Sequence, residues 1–275
     1  MPLPDDFIFT QNNLQDFIDC PRRFQLRHLL KMSWPAPVSE PMEENERLIL
    51  LGTQFHKMVY QYYLGIPEEK IAHGIREMDL NEWWQAFRQN PPQGIPENHR
   101  PEIEVSMPFE GYRLAAKIDL LAVEKGARAV VVDWKTNHRL PREAFLRERV
   151  QSLIYPYLVI TTGTILNDYR PFNPSQVSMI YWFPAFPDQA VTLRFNQDWV
   201  DKTRLFLTNL VKDISRMDRE IFPLTADEKK CQFCRFRSLC ERGTVAGSLT
   251  DEADDSPEED LFPDIDFSEI EGISF

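Results

Sequence analysis

Two carboxylates and a lysine cluster in the middle of the chain. Asp119 lies in Lys117-Ile118-Asp119-Leu120; Asp133 and Lys135 lie in Val132-Asp133-Trp134-Lys135-Thr136. Residues two apart in a strand project from the same face, so Asp133 and Lys135 point together and Trp134 points the other way. Charges at the end of a β-branched run are costly to bury unless paired or bound to a metal. Two carboxylates suit a hard divalent cation such as magnesium. Such a cation lowers the pKa of a bound water and stabilises charge on a phosphate oxygen. A lysine beside it orients or deprotonates that water and offsets developing negative charge. Phosphodiester hydrolysis uses all of these roles. Taken alone, a D-x-K triplet is more often a pair of strand-end charges, and only the surrounding pattern separates the two readings.

A second set of reactive side chains is formed by Cys20, Cys231, Cys234 and Cys240, the last three in Cys231-Gln232-Phe233-Cys234-Arg235-Phe236-Arg237-Ser238-Leu239-Cys240. In a cytoplasmic chain a disulfide framework is not expected. Thiolates suit zinc and iron–sulfur centres. Structural zinc usually draws on two close pairs of ligands, whereas here one tight trio has one remote partner. Spacing alone leaves an iron–sulfur cluster, zinc and free buried thiols open. A clasp from Cys20 to Cys231 would close a loop of more than 200 residues. It would stabilise mainly through the entropy of the unfolded chain, with only a logarithmic dependence on length.

These groups must be held by a scaffold whose pattern is readable. Phe7–Leu30 carries a helical apolar pattern with Thr10 or Asn12 as N-cap, and Pro21 predicts a break directly after Cys20. The prolines at 35, 37 and 41 predict a loop over 33–42. Arg47–Leu64 is a predicted helix ending at Gly65, followed by a helical stretch over Ile71–Gln89. From Glu102 the period changes. Glu102–Glu110, Arg113–Val123 and Ala129–Trp134 read as three consecutive strands. Pro141–Ile160 reads as a helix with a kink or break at Pro156. Gln176–Phe183 and Ala190–Phe195 read as strands and Trp199–Met217 as a helix. This order predicts an α/β (α+β) core, a mixed sheet flanked by helices.

The net charge of −12 looks unsuited to nucleic acid, but it is unevenly spread. Residues 251–275 hold eleven acidic residues and no Lys or Arg; without them the net −12 becomes −1 for residues 1–250. DNA binding would then rest on local basic groups: Arg22, Arg23, Arg27 and Lys31; Arg139, Arg142, Arg147 and Arg149; Arg235, Arg237 and Arg242. Residues 246–275 form an acidic tail expected to be disordered in isolation, with residues 1–245 as the folded domain. The tail is expected to act as a solubilising segment, to cover the basic surface, or to dock on a protein partner through residues 251–275. No run of about 18 apolar residues predicts a membrane span. Met1–Thr10 has no basic n-region, so a cytoplasmic protein is expected.

Taken together, the motifs resemble the PD-(D/E)XK nuclease superfamily. Asp119, then 13 residues, then Asp133-Trp134-Lys135 follow its core pattern. Gly52-Thr53-Gln54-Phe55-His56 and Gln151-Ser152-Leu153-Ile154-Tyr155 resemble the G-x-x-x-H and Q-x-x-x-Y motifs of its RecB-like branch. The four cysteines and Leu14–Phe24 resemble the iron–sulfur nucleases of that branch, among them CRISPR-associated exonucleases and AddB-type subunits. The resemblance covers roughly residues 8–242. It implies a restriction-endonuclease-like fold and Mg2+ or Mn2+ bound by His56, Asp119, Asp133 and the carbonyl of Trp134. It implies Lys135 as the catalytic lysine, Gln151 and Tyr155 as residues that position DNA or support the site, and a [4Fe–4S] cluster on Cys20, Cys231, Cys234 and Cys240. The implied activity is a metal-dependent exonuclease on single-stranded or frayed DNA ends, in DNA repair, recombination or CRISPR-type processing. The alternative is an accessory DNA-binding subunit with little activity alone. One departure from the pattern is Ile118 where a proline often precedes the first aspartate.

Overall fold

The computed structural model describes residues 3–32, 40–137, 139–217, 220–232 and 234–244. The acidic tail and its expected partner contacts lie outside them. Backbone contacts divide the chain into two compact units. Among the described residues, one comprises 50–107 and 115–204; the other is built from those up to Ile49, from Pro108–Leu114 and from 205–244.

The first of these units contains the sheet core. Strand β2 (His99–Phe109) turns at Glu110-Gly111 into β3 (Tyr112–Glu124), and β3 turns at Lys125-Gly126 into β4 (Arg128–Trp134). Glu110 and Gly111 have φ of 48° and 86°. Positive φ at both central residues is what a tight hairpin needs to follow the strand twist, and glycine meets it without strain. Strand β4, Arg-Ala-Val-Val-Val-Asp-Trp, is buried at every position after Arg128. It lies between β3, antiparallel, and β5 (Val177–Trp182), parallel, and a strand covered on both faces is expected to read as a continuous apolar run. The parallel step from β4 to β5 requires a crossover, which α6 (Glu143–Glu148) and α7 (Val150–Thr162) supply. Strand β6 (Val191–Arg194) pairs antiparallel with β5. Helices α3 (Glu40–Tyr63), α4 (Glu68–Ala72) and α5 (Met78–Gln89) precede the sheet, and Phe55, Trp83, Phe87, Trp134 and Trp182 form an edge-to-face aromatic core.

In the other unit, β1 (Ile8–Phe9) pairs in parallel with Arg113–Leu114 at the start of β3. Thr10 then caps α1 (Gln11–Asp19): its hydroxyl accepts from the Asn13 N–H, and the Asn13 side chain accepts from the Thr10 N–H. Cys20 is extended, and Pro21 opens the short helix α2 (Pro21–Phe24), where its missing N–H costs nothing. A π-type turn over Gln25–Leu29 follows. Helix α8 (Gln197–Ser215) leads to the cysteine-bearing segment. That segment is held by the Gln25 amide, which donates to the Glu220 carbonyl at 2.8 Å and accepts from the Phe222 N–H at 2.9 Å. Phe24 stacks on Phe222, and the Arg22 N–H donates to the Pro223 carbonyl.

The predicted mixed sheet flanked by helices is present, in strand order β1-β3-β4-β5-β6 with β2 also pairing with β3. Several boundaries differ. The helix expected from Phe7 starts at Gln11, because Ile8 and Phe9 are recruited as a strand by a partner more than 100 residues away. The helix expected from Arg47 already begins at Glu40, and the rest of the predicted 33–42 loop lies outside the described residues. The stretch 71–89 splits into α4 and α5. The break expected at Pro156 falls instead at Arg149, whose φ of −64° and ψ of 140° turn the chain after α6. Pro156 stays inside α7. Among the described residues, no helix is long and apolar enough to cross a membrane.

Candidate functional site

The end of β4 gathers the acidic–lysine constellation. Asp133 and Lys135 point together as the strand pleat requires, with Lys135 Nζ 3.1 Å from Asp133 Oδ2. Trp134 turns to the opposite side and packs against Tyr63, Phe87 and Trp182. On the neighbouring strand β3, Asp119 Oδ2 accepts from the Trp134 N–H at 3.0 Å. Helix α3 brings His56, whose Nδ1 lies 3.4 Å from the same Asp119 oxygen.

Helix α7 closes the other side. The Gln151 amide spans the D-x-K pair: its Oε1 accepts from Lys135 Nζ at 2.8 Å, and its Nε2 donates to Asp133 Oδ1. One amide thus serves both charges, and a rigid helix fixes their separation. Tyr155, one turn further along α7, is buried, which suits a supporting position. Asp133 is 2% exposed, whereas the His56 and Asp119 side chains are each 20% exposed. The site is therefore reached by solvent from the Asp119–His56 side.

The charges reinforce one another. Burial alone would raise the Asp119 carboxyl, but His56, the Trp134 N–H and Lys135 outweigh it and hold the group below the usual carboxylate range. Burial would depress His56, but Asp119 and, less strongly, Asp133 outweigh it and raise the imidazole above its ordinary value. Asp119, Asp133 and His56 thus share one electrostatic neighbourhood of carboxylate oxygens and imidazole nitrogen, a donor set suited to Mg2+ or Mn2+. Among the described residues, no group of three or more His, Cys, Asp or Glu side chains is already drawn together as a metal-binding set. Here the carboxylates turn to His56, Lys135 and Gln151.

Sequence reasoning missed two residues beside the constellation. Tyr181 on β5 is the register partner of Asp133, is fully buried, and lies with its ring 5.7 Å from Lys135 Nζ. Its hydroxyl meets Ser152 Oγ at 2.7 Å, and Ser152 also donates to the Leu146 carbonyl. Only the parallel β4–β5 register exposes this link, although Ser152 stands next to Gln151. Replacing Tyr181 with Phe keeps the ring and removes the hydroxyl. It is expected to cost about 1 kcal/mol in urea melts; a variant as stable as wild type would show that the hydroxyl pair contributes nothing.

The four cysteines, remote in sequence, line a single pocket with Arg23, Lys230 and Arg237. All four are free of disulfides. Burial pushes the Cys234 thiol up to about 12 and raises Cys231 and Cys240 as well, each pushed further by neighbouring cysteines. A metal binding here would displace those protons and hold the sulfurs as thiolates. Five of the eleven expected basic residues are buried or paired within the protein. Arg23 and Arg237 are buried, Arg27 faces Asp16, Arg147 pairs with Glu143, and Arg242 pairs with Glu228. Of the same groups, Lys31, Arg139, Arg142 and Arg235 are exposed.

A mixed sheet carrying Asp119 and the D-x-K pair on adjacent strands, with a glutamine across the pair, defines a nuclease-type core. The model of the PD-(D/E)XK nuclease superfamily matches residues 8–241, and the chain belongs to that superfamily. Its members generally use divalent metals such as Mg2+ or Mn2+. No curated protein matches the chain. Among solved structures, a "putative exonuclease" from Eubacterium rectale shares the fold at 8% identity, with 89% of this chain and 93% of that one covered and a TM-score of 0.50. The structure of SSO0001 is 13% identical over 86% of this chain and 87% of that one, with a TM-score of 0.40.

Proposed function

We propose that the chain is a Mg2+- or Mn2+-dependent deoxyribonuclease, an exonuclease acting on single-stranded or frayed DNA ends in DNA repair, recombination or CRISPR-type processing. The observation that carries this reading is the linked set of Asp133, Lys135 and Gln151 beside the Asp119–His56 contact. We assign the metal to His56, Asp119, Asp133 and the Trp134 carbonyl. When bound, the cation lowers the pKa of a water and offsets charge on a phosphate oxygen.

The protein's own residues do the rest. Lys135 Nζ, steadied by the Gln151 amide, is the positive group available to the phosphate oxygens as attack by water places further charge on them. Gln151 keeps Asp133 aligned, and the Trp134 N–H keeps Asp119 aligned, so neither carboxylate has to reorganise far when substrate arrives. Tyr155 supports α7 behind Gln151. The folded nuclease is assigned to residues 1–245 and to the cytoplasm, where its four thiols remain reduced.

The second part of the proposal is a [4Fe–4S] cluster on Cys20, Cys231, Cys234 and Cys240. Its support is that all four cysteines line one pocket. The thiolates suit iron. The cluster would hold the Cys20 segment against the Cys231–Cys240 segment.

The test is cutting of end-labelled single-stranded DNA by anaerobically purified, iron-loaded protein with Mg2+, with Mn2+ or with EDTA. Expected are fragments with either cation, none with EDTA, and recovery on adding excess Mg2+; the fragment ladder gives polarity. Cutting that persists in EDTA, or no cutting of any DNA by iron-loaded protein, would overturn the proposal.

A further inference from the structure

Arginine remains charged under essentially all conditions a protein meets, so a buried guanidinium needs an anion or a full set of acceptors. Three cations line the cysteine pocket, and two are matched. Arg23 Nε lies 2.6 Å from Asp16 Oδ1 and its NH2 lies 2.9 Å from Asp19 Oδ2; Lys230 Nζ lies 2.6 Å from Asp19 Oδ1. Arg237 is different. It is 1% exposed, the most buried of the three. Its NH1 and NH2 donate to the carbonyls of Cys234, at 3.1 Å, and Thr244, at 3.4 Å. Its Nε is buried and has no hydrogen-bond partner among the described residues. No carboxylate pairs with it there; the ionisable group facing it is the Cys234 thiol.

With no carboxylate in its lining among the described residues, the metal-free pocket does not balance this charge. The same pocket holding a metal does. Four thiolates around a 2+ centre, whether a [4Fe–4S] core or a single zinc ion, carry a net charge of about −2. We propose that Arg237 is the buried counter-ion of an anionic thiolate–metal centre held by Cys20, Cys231, Cys234 and Cys240. Its Nε–H supplies a hydrogen bond to sulfur once that centre is bound. This rests on the metal-centre reading of the cysteines given above and is independent of the nuclease reading.

The consequence is a change of sign. In metal-free protein Arg237 is an uncompensated buried charge, so Arg237→Met, which keeps length and apolar bulk, raises the melting temperature. In metal-loaded protein the same substitution removes the counter-ion. Melting temperature falls and metal affinity drops by roughly 10- to 100-fold, the range for outer-shell partners of bound metals. Arg237→Lys keeps the charge and loses the Nε donor, so its affinity lies between wild type and Met. With iron bound, loss of a nearby positive charge also makes reduction harder, lowering the midpoint potential.

The experiment uses full-length wild type, Arg237→Met and Arg237→Lys, each stripped and then reconstituted anaerobically with ferrous iron and sulfide or with zinc. Metal content, melting temperature with and without metal, and transfer of metal to a competing chelator are measured. Iron and sulfide content with visible charge-transfer absorbance identifies a cluster; a single colourless zinc per chain identifies the other centre. The expected result is stabilisation by Arg237→Met without metal and destabilisation with it, with Arg237→Lys intermediate in affinity. Wild type that takes up neither metal overturns the metal-centre reading and this inference with it. Wild type that loads while Arg237→Met keeps full affinity overturns the counter-ion alone. If Arg237→Met does not fold without metal, Arg237→Lys decides: affinity as low as that of Arg237→Met in protein folded around metal shows that charge is not the cause.

Discussion

Lys135→Ala is expected to reduce DNA cleavage by roughly 10^2- to 10^3-fold, the usual effect of removing one preorganised group that stabilises transition-state charge. Lys135 Nζ is held by Asp133 Oδ2 at 3.1 Å and Gln151 Oε1 at 2.8 Å. Neither contact needs substrate, so the ammonium is in position before DNA arrives and little reorganisation is left for the reaction itself. The substitution also leaves the 2%-exposed Asp133 carboxylate without its lysine, which lowers stability. The assay must therefore separate rate from folding. Single-turnover cleavage of end-labelled DNA, run well below the melting temperature of the variant, gives the rate, and a binding isotherm in EDTA gives affinity. The rate is expected to collapse while affinity changes by a few-fold at most, because one phosphate contact contributes little to total affinity. Cleavage at the wild-type rate by a folded Lys135→Ala protein would remove Lys135 from the reaction.

The placement of Asp119, Asp133 and Lys135 is readable from local geometry, whereas His56, Gln151 and Tyr155 are singled out only by the motif resemblance. The pleat of a strand places Asp133 and Lys135 on one face, and hairpin pairing brings β3 beside β4, so Asp119 arrives next to Trp134. Gln151 and Tyr155 share a helix face by spacing alone. The rest depends on contacts that local pattern does not encode. Tyr181 reaches Asp133 only through the parallel β4–β5 register, set by a crossover of two helices. The break at Arg149 rather than Pro156 reflects the return path to that strand, which outweighs the missing proline N–H. The two-residue strand β1 exists because β3 offers an edge, not because Ile8-Phe9 has a strand pattern of its own. The arginines near the cysteines are ambiguous for the same reason. By composition they read as a DNA-binding patch, yet burial and pairing turn Arg23 and Arg237 inward, and no one-dimensional signal distinguishes the two uses.

Asp16 is where such hidden pairing has its largest expected effect on stability. It is fully buried in α1, with Arg23 Nε at 2.6 Å, His28 Nε2 at 2.7 Å and Arg27 NH1 at 3.4 Å. Burial would raise its carboxyl, but Arg23, then His28 and Arg27, outweigh that and lower it to about 2. A carboxylate whose folded value lies below its unfolded one stabilises the fold at all pH above the unfolded value. That contribution fades as pH falls from 3.8 toward about 2. Asp16→Asn keeps the shape, removes the charge and leaves Arg23 buried without its main partner, an arrangement that typically costs roughly 3–5 kcal/mol. Urea melts at neutral pH should show that loss. Repeated at falling pH through the same window, they should show wild type losing stability faster than the variant, so that the two curves converge. Parallel curves would mean that Asp16 is not the group being titrated. The effect should also reach the cysteine pocket, because the Arg23 that Asp16 neutralises lines it. Releasing that guanidinium leaves Asp19 as its remaining carboxylate partner and so adds uncompensated positive charge beside Arg237. If the pocket holds an anionic metal centre, metal-loaded Asp16→Asn should therefore recover part of the stability that the metal-free variant loses, and the size of that recovery measures how much of the pairing the centre can take over.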